Sequence, residues 1–304
     1  MHKTIMVSAA QMGPNQESDT REAIVERMVT LLDQAADMGV ELLVFPEMAL
    51  TSYFPKRIRD DYDHLFETAM PNPAVQPLFD RAKKHGIAFY LGYAEKTPEG
   101  RHFNSAILVD ERGELALRYR KIHLPGQATQ APAGQTKVYE PHFFDVGDTG
   151  LRTVSTQHGH IGMALCQDRR YSETYRVLGL EGAEIILIGY NTPSRPLGLM
   201  QSELVLRAGA YENSVFVVAS AKAGVEDGLH MMGGSCVVDP QGQVIARAST
   251  EGDELVTTRL DLGLVDAARQ QWSFYRRRRP EAYGALTNPQ IAASPAAADA
   301  TTRQ

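Results

Sequence analysis

The amino-acid sequence predicts an α/β protein built from two similar halves, each with a mixed β-sheet, packed face to face. Three observations predict it. The runs Leu42-Leu43-Val44-Phe45 and Ile185–Ile188 are continuously apolar, as strands covered on both faces must be. Each follows a helical pattern and a Gly-x-Glu turn, Gly39-Val40-Glu41 before the first and Gly182-Ala183-Glu184 before the second. Each half later carries a hairpin signal, Asp110-Glu111-Arg112-Gly113 in one and Asp239-Pro240-Gln241-Gly242 in the other. A unit of helix, buried strand and hairpin that occurs twice fits two such halves packed face to face.

Taken in order, Ile5 to Ala10 reads as the first strand. Asp19 and Glu22 offer a capping pair for a helix whose apolar positions, Ile24, Val25, Met28, Leu32, Ala35 and Ala36, recur at helical spacing until Gly39. The strand from Leu42 must stop at Pro46, which cannot donate to a ladder, and this leaves Glu47 at its C-terminal edge. A Pro- and Tyr-containing loop over 51–57, a helix near Val75–His85 and a strand Ile87–Tyr93 follow. Strands Ser105–Val109 and Leu115–Tyr119 form the first hairpin, begun by Asn104 and Ser105, with Lys121 just past it. Residues 127–134, rich in Gln, Ala, Pro and Gly, read as an exposed loop.

The second half centres on Ile161–Tyr171, a buried strand that ends in Cys166 and turns at once polar and cationic. A helix over Ser172–Leu180, a helix over 199–212 and a strand Val215–Ser220 follow, then the hairpin Cys236–Val238 and Val244–Ala248. We expect one domain over residues 1–285 and a loose tail over 286–304.

Composition narrows the function classes. A chain of 304 residues with 43% hydrophobic content can bury a sizeable core. A net charge of −6 argues against nucleic acid or an anionic membrane as partner. The run Arg276–Arg279 is isolated and reads as a solvated or subunit-contacting patch. Two cysteines rule out a disulfide framework and fit a reducing compartment. With no apolar run near the ~20 residues that span a bilayer, and no signal-peptide core after Met1, a cytoplasmic protein is expected. No His-Glu-x-x-His or paired-cysteine spacing supports a metal, and no Gly-rich phosphate loop supports a nucleotide, so no cofactor is expected.

Glu47, Lys121 and Cys166 each follow a β pattern and stand at the same kind of strand edge. A carboxylate can take the proton of a thiol, and an ammonium can stabilise a thiolate and the oxyanion formed when it attacks. The arginines after Cys166 are expected to favour its thiolate, and the Gln167 backbone N–H could be a second oxyanion donor. Cys236, within a hairpin strand, reads as an apolar filler.

Phe45-Pro46-Glu47, Tyr119-Arg120-Lys121-Ile122-His123-Leu124-Pro125 and Leu165-Cys166-Gln167-Asp168-Arg169-Arg170 resemble the Glu-Lys-Cys signature of the nitrilase superfamily. The resemblance covers roughly residues 4–285 and implies a four-layer αββα sandwich that hydrolyses carbon–nitrogen bonds without metal or cofactor. Glu140, in Tyr139-Glu140-Pro141, is similar to a second glutamate that the family places near the thiol to position substrate or relay protons. The Trp-Glu that follows the cysteine in true nitrilases is absent. Cys166–Arg170 instead is similar to the branch that hydrolyses N-carbamoyl-D-amino acids, as are Leu91-Gly92-Tyr93, Gly189-Tyr190-Asn191-Thr192-Pro193 and Gly234-Ser235-Cys236.

That resemblance implies a small-molecule substrate, with Arg169, Arg170, Asn191, Thr192, His123 and Gln167 as binding residues. Arginine suits a bidentate contact with the free carboxylate of a carbamoyl amino acid, although Asp168 or Glu173 could instead tie either arginine in a structural ion pair. It also implies a homodimer or homotetramer, with the run Trp272-Ser273-Phe274-Tyr275 crossing to a partner. The expected products are amino acid, ammonia and carbon dioxide, through a carbamoyl group on Cys166. The alternatives are an amidase or ureido-acid hydrolase acting on another carboxylate-bearing amide and, further off, a non-catalytic assembly protein on the same fold. Two segments depart from the branch: Val138 stands where a histidine is expected, and 194–203 is shortened.

Overall fold

The computed structural model describes residues 4–130 and 137–288. The first half runs β1 (Thr4–Gln11), α1 (Arg21–Asp37), β2 (Leu42–Val44), α2 (Gln76–His85), β3 (Ala88–Lys96), β4 (His102–Val109) and β5 (Leu115–Arg120). A one-turn helix, α3 (Glu140–Phe143), leads to the second half. This runs β6 (Thr153–Thr156), β7 (Gly159–Leu165), α4 (Ser172–Leu180), β8 (Ile185–Tyr190), α5 (Gly198–Asn213) and β9 (Phe216–Ala221). The chain ends with β10 (Ala223–Glu226), β11 (Leu229–Met232), β12 (Cys236–Val238), β13 (Val244–Arg247), β14 (Glu254–Asp261) and α6 (Gly263–Trp272).

Two six-stranded sheets result, ordered β14-β1-β2-β3-β4-β5 and β13-β12-β9-β8-β7-β6. In each, three parallel strands form the centre (β1-β2-β3 and β7-β8-β9), an antiparallel strand closes one side and a hairpin closes the other. The repeated unit in the sequence is thus a repeated sheet. β10 and β11 form a separate two-stranded ribbon.

The period-two alternation of side chains explains why the central strands are apolar throughout. Leu42 and Val44 of β2 and Ile185 and Leu187 of β8 fill the core between the sheets. Leu43 points the other way, into a layer shared with α1 and α2, while Ile186 and Ile188 pack against α4 and α5. These are the four layers of an αββα sandwich. The buried Tyr90 hydroxyl crosses between the sheets, donating to the Ala164 carbonyl at 3.0 Å and accepting from the Gly189 N–H at 3.2 Å.

Some local expectations need correction. The cap of α1 is Thr20, whose hydroxyl accepts from the Ala23 N–H at 3.2 Å, while Asp19 accepts from the Gln16 N–H instead. Strands β6 and β14 went unread because their Thr, Ser and Arg content hides the alternation, and β14 gains its place by pairing along its whole length with β1. The aromatic run Trp272–Tyr275 makes contacts with α5 of its own chain, the Tyr275 hydroxyl donating to the Asn213 carbonyl at 2.6 Å and the Tyr211 ring lying beside Trp272 and Phe274. Part of the 127–134 loop and most of the expected tail lie outside the described residues. None of the described helices is long and apolar enough to cross a membrane.

Two glycines let the sheets close on the segment after β2. A Cβ at Gly189 would come within 2.7 Å of the Glu47 backbone nitrogen, and one at Gly92 within 2.6 Å of the Pro46 carbonyl oxygen. Gly189→Ala should therefore lower stability by about 1–3 kcal/mol, the usual cost of forcing atoms into a packed core. Gly252→Ala, where a Cβ meets nothing within 4 Å, should leave the urea midpoint nearly unchanged. Equal midpoints for the two variants would refute the close approach.

Candidate active site

The four ends of β2, β5, β7 and β8 bring the polar residues together. Pro46 ends β2 and leaves Glu47 in the interior, its carboxylate wholly enclosed. Lys121, one residue past β5, is equally enclosed and donates to Glu47 at 2.8 Å. Its ammonium also donates to both oxygens of Glu140, at 2.9 and 2.7 Å, from the first turn of α3. Asn104 on β4 donates to Glu47 at 2.8 Å and reaches Glu140 at 3.4 Å. The second Glu47 oxygen accepts the Asn191 N–H at 2.9 Å, just past β8, and the Asn191 amide donates to the Glu47 carbonyl at 2.7 Å.

Two carboxylates around one ammonium leave this buried group with one negative charge in excess. Burial, reinforced by Glu47 and opposed by Lys121, pushes the Glu140 carboxyl up to about 7. Burial disfavours the charged Lys121, yet Glu140 and Glu47 outweigh it and hold the ammonium above the usual lysine range. The Tyr53 hydroxyl donates to Glu140 at 2.9 Å. A second buried pair, Lys222 and Glu226 at 2.9 Å, anchors that part of the chain, since Glu226 also accepts the Tyr53 N–H and the Asn15 N–H.

Cys166 follows β7 and opens a short 3₁₀ turn, Cys166–Arg170, with φ of +39°. A non-glycine residue in that left-handed region is strained, and such strain needs surrounding contacts to hold it. Asp168 supplies several. Its carboxylate accepts from the Leu165 N–H at 3.2 Å, the Tyr119 hydroxyl at 2.7 Å and the His123 N–H at 3.0 Å, and it lies 2.7 Å from the His123 ring nitrogen. It therefore ties the Cys166 turn to the strand that delivers Lys121. His123 also stacks on Tyr171, with ring centroids 3.6 Å apart.

Arg169 holds the turn from the other side. Its guanidinium donates to the Cys166 carbonyl at 2.6 Å and to the Thr192 hydroxyl at 2.9 Å, and lies over the Tyr190 ring at 4.2 Å. The Cys166 sulfur donates to the Asn191 carbonyl at 3.4 Å and lies 3.6 Å from Arg169. The sequence led us to expect a favoured thiolate, but burial, with Glu47 adding to it, raises the Cys166 pKa against the pull of Lys121 and Arg169. The thiol is therefore favoured over the thiolate.

A cavity of about 420 Å³ opens onto the sulfur, within the ~300–1,000 Å³ usual for small-molecule sites. Gln167, Arg170, Asn191 and Thr192 line it, as does Tyr53. The two arginines therefore separate. Arg169 is buried and engaged with the backbone and Thr192, whereas Arg170 is half-buried on the cavity wall. Neither pairs with Asp168 or Glu173 among the described residues, because Asp168 is engaged with Tyr119, His123 and Leu165. Tyr53, Asn104 and Asp168 went unread as site residues. Only the adjacency of Asp168 to Cys166 gave a signal, since the other two are ordinary loop and strand residues until the fold closes. Among the described residues no group of three or more His, Cys, Asp or Glu side chains could hold a metal ion.

A carbon–nitrogen hydrolase family model matches residues 6–270. The chain belongs to the carbon–nitrogen hydrolase family. It is 28% identical to an N-carbamoylputrescine amidase of Arabidopsis thaliana, over 93% of this chain and 95% of that protein. It is 28% identical to a citrullinase of Francisella tularensis, over 92% and 96%. A crystal structure of a carbon–nitrogen hydrolase from Helicobacter pylori superposes with a TM-score of 0.85 at 27% identity, covering 95% of this chain and all of that one.

The two thiols of this carbon–nitrogen hydrolase differ in access. Cys166 lies on the cavity, while Cys236 is packed in the layer between sheet and α4–α5 with its thiol pushed up to about 12 by burial. A small thiol reagent should label Cys166 well before Cys236, read by peptide mass spectrometry. Labelling of Cys236 first would refute the cavity as drawn.

Proposed function

We propose that this carbon–nitrogen hydrolase removes the carbamoyl group from an N-carbamoyl amino acid, with Arg170 holding the substrate's carboxylate. The observation that carries the reading is the charge of the cavity. Arg170 stands on its wall, the charges acting on it from nearby include Arg169 and Arg195, and no carboxylate is among the described wall residues. A cation placed beside a nucleophile without an acidic partner is built for an anionic substrate. The same charge disfavours a carbamoylated amine, which would bring a second positive charge. A ureido acid such as citrulline carries a carboxylate and stands as the alternative. The likeness of Cys166–Arg170 to the N-carbamoyl-D-amino acid branch supports the D hand.

In the proposed cycle Glu47 takes the Cys166 proton and the sulfur attacks the ureido carbonyl. Lys121 and the Gln167 N–H hold the oxyanion. The departing nitrogen takes the proton from Glu47 as its C–N bond breaks, leaving a carbamoyl thioester. Glu47 then deprotonates a water that attacks the thioester, Cys166 regains a proton, and the carbamic acid released loses carbon dioxide. Glu140 keeps Lys121 in place and charged throughout.

Ammonia release should be fast with N-carbamoyl amino acids and weak with plain amides, nitriles and carbamoylated amines. Arg170→Lys keeps the charge but loses the planar fork, so kcat/KM should fall roughly tenfold to a hundredfold, since a charge-assisted hydrogen bond is worth about 1.5–3 kcal/mol. Wild-type enzyme should discriminate strongly against substrates whose carboxylate is a neutral amide, and the variant much less. Equal discrimination would make Arg170 structural and move the simple-amide reading ahead.

The pH profile tests the carboxylate pair. As pH falls through about 7, Glu140 takes a proton, its hold on Lys121 weakens, and Glu47 must serve the ammonium alone. kcat/KM should therefore rise with pH through a limb near 7, and Glu140→Gln should remove that limb as well as lower the rate. A limb that survives in the variant would assign it elsewhere.

A further inference from the structure

The cavity wall carries a second cation, Arg195, from the shortened segment between β8 and α5. Three constraints hold this segment in place. The Met232 N–H donates to the Thr192 carbonyl at 2.9 Å and the Ser194 N–H to the His230 carbonyl at 2.7 Å, fastening 192–194 to β11. The Gly198 N–H closes a turn onto the Arg195 carbonyl at 3.0 Å. The Arg195 guanidinium donates to Gln201 Oε1 at 3.0 Å on the first turn of α5. A Cβ at Gly198 would lie 3.1 Å from Arg195 Cγ, so the glycine leaves the side chain its room.

Arg195 is exposed on this wall, while Arg170 is half-buried and feels the charge of Cys166. Like charges held on one wall repel each other, and no carboxylate among the described wall residues offsets them. One carboxylate can satisfy Arg170 alone. A second anionic group, further from the reacting carbonyl, would meet Arg195.

Resting on the reading in which Arg170 holds the α-carboxylate, we infer that Arg195 is a specificity-determining residue that binds a second acidic group of the substrate. The substrate class is then the N-carbamoyl derivatives of acidic amino acids, which are dianions at neutral pH. A protein of net charge −6 that concentrates two arginines at one cavity gains local attraction for such a dianion that its surface at large would not provide.

The test compares N-carbamoylglutamate with N-carbamoylglutamine, and the aspartate with the asparagine derivative, in wild type, Arg195→Gln and Arg195→Lys. Wild type should prefer the acidic member by about tenfold in kcat/KM, and the preference should shrink as salt is raised, because the contact is exposed. In Arg195→Gln the loss should fall on the acidic substrate, bringing the ratio near one, and Arg195→Lys should restore part of it. Equal kcat/KM for both substrates in wild type overturns the inference. So does an equal loss on both in Arg195→Gln, which would mean that the two arginines clamp one carboxylate. If no carbamoyl amino acid is hydrolysed, the proposed reaction falls, and binding decides the inference separately. Calorimetry on the Cys166→Ala protein should then show glutarate binding tighter than its half-amide, an advantage lost with Arg195→Gln added. No advantage for the diacid overturns the second anion position whatever the reaction.

Discussion

The buried ammonium of Lys121, held between Glu47 and Glu140, is the constraint on which the rest of the site depends. Removing one member of a buried charged group leaves its partners unpaired in a low dielectric, at a cost of about 3–5 kcal/mol. The three side chains come from the end of β2, the end of β5 and the start of α3, so their mutual attraction also fixes how those elements meet. An apolar trio could join the same elements, but it would leave no carboxylate and no ammonium beside the thiol. The excess negative charge has a chemical consequence as well. Together with burial it raises the Cys166 pKa and favours the thiol over the thiolate.

The strained turn at Cys166 shows how the second half of the molecule is fitted to the first. The positive φ is held by Asp168 on one side and by Arg169 on the other, through backbone groups of Leu165 and Cys166. Asp168 also takes the Tyr119 hydroxyl and the His123 N–H, so Cys166 and the ammonium share one brace. His123 and Arg169, which the sequence offered as substrate contacts, also take part in this bracing. The division leaves Arg170 facing the cavity. Bracing of the turn and lining of the cavity thus fall to neighbouring residues of one short turn.

Much of the fold was legible because both sheets are covered on both faces. Runs such as Leu42–Val44 and Ile185–Ile188 must then be apolar at every position, and the repetition of helix, strand and hairpin marks the two halves. Edge strands such as β6 and β14 carry no such obligation and were hidden by their polar residues.

The sequence by itself determined the strand ends at which Glu47, Lys121 and Cys166 stand, since proline, glycine and the change from apolar to polar are local signals. It also determined the family, through short motifs around those three residues. Only the tertiary structure decided which polar residues meet. Tyr53, Asn104 and Asp168 lie far apart in the chain or look ordinary within it, and their partners are chosen by the packing of two sheets. The same packing separated Arg169 from Arg170 and set Arg195 beside the cavity. The direction of a side chain at a turn depends on backbone torsions and on which buried acceptors are already taken, and neither is written in local sequence.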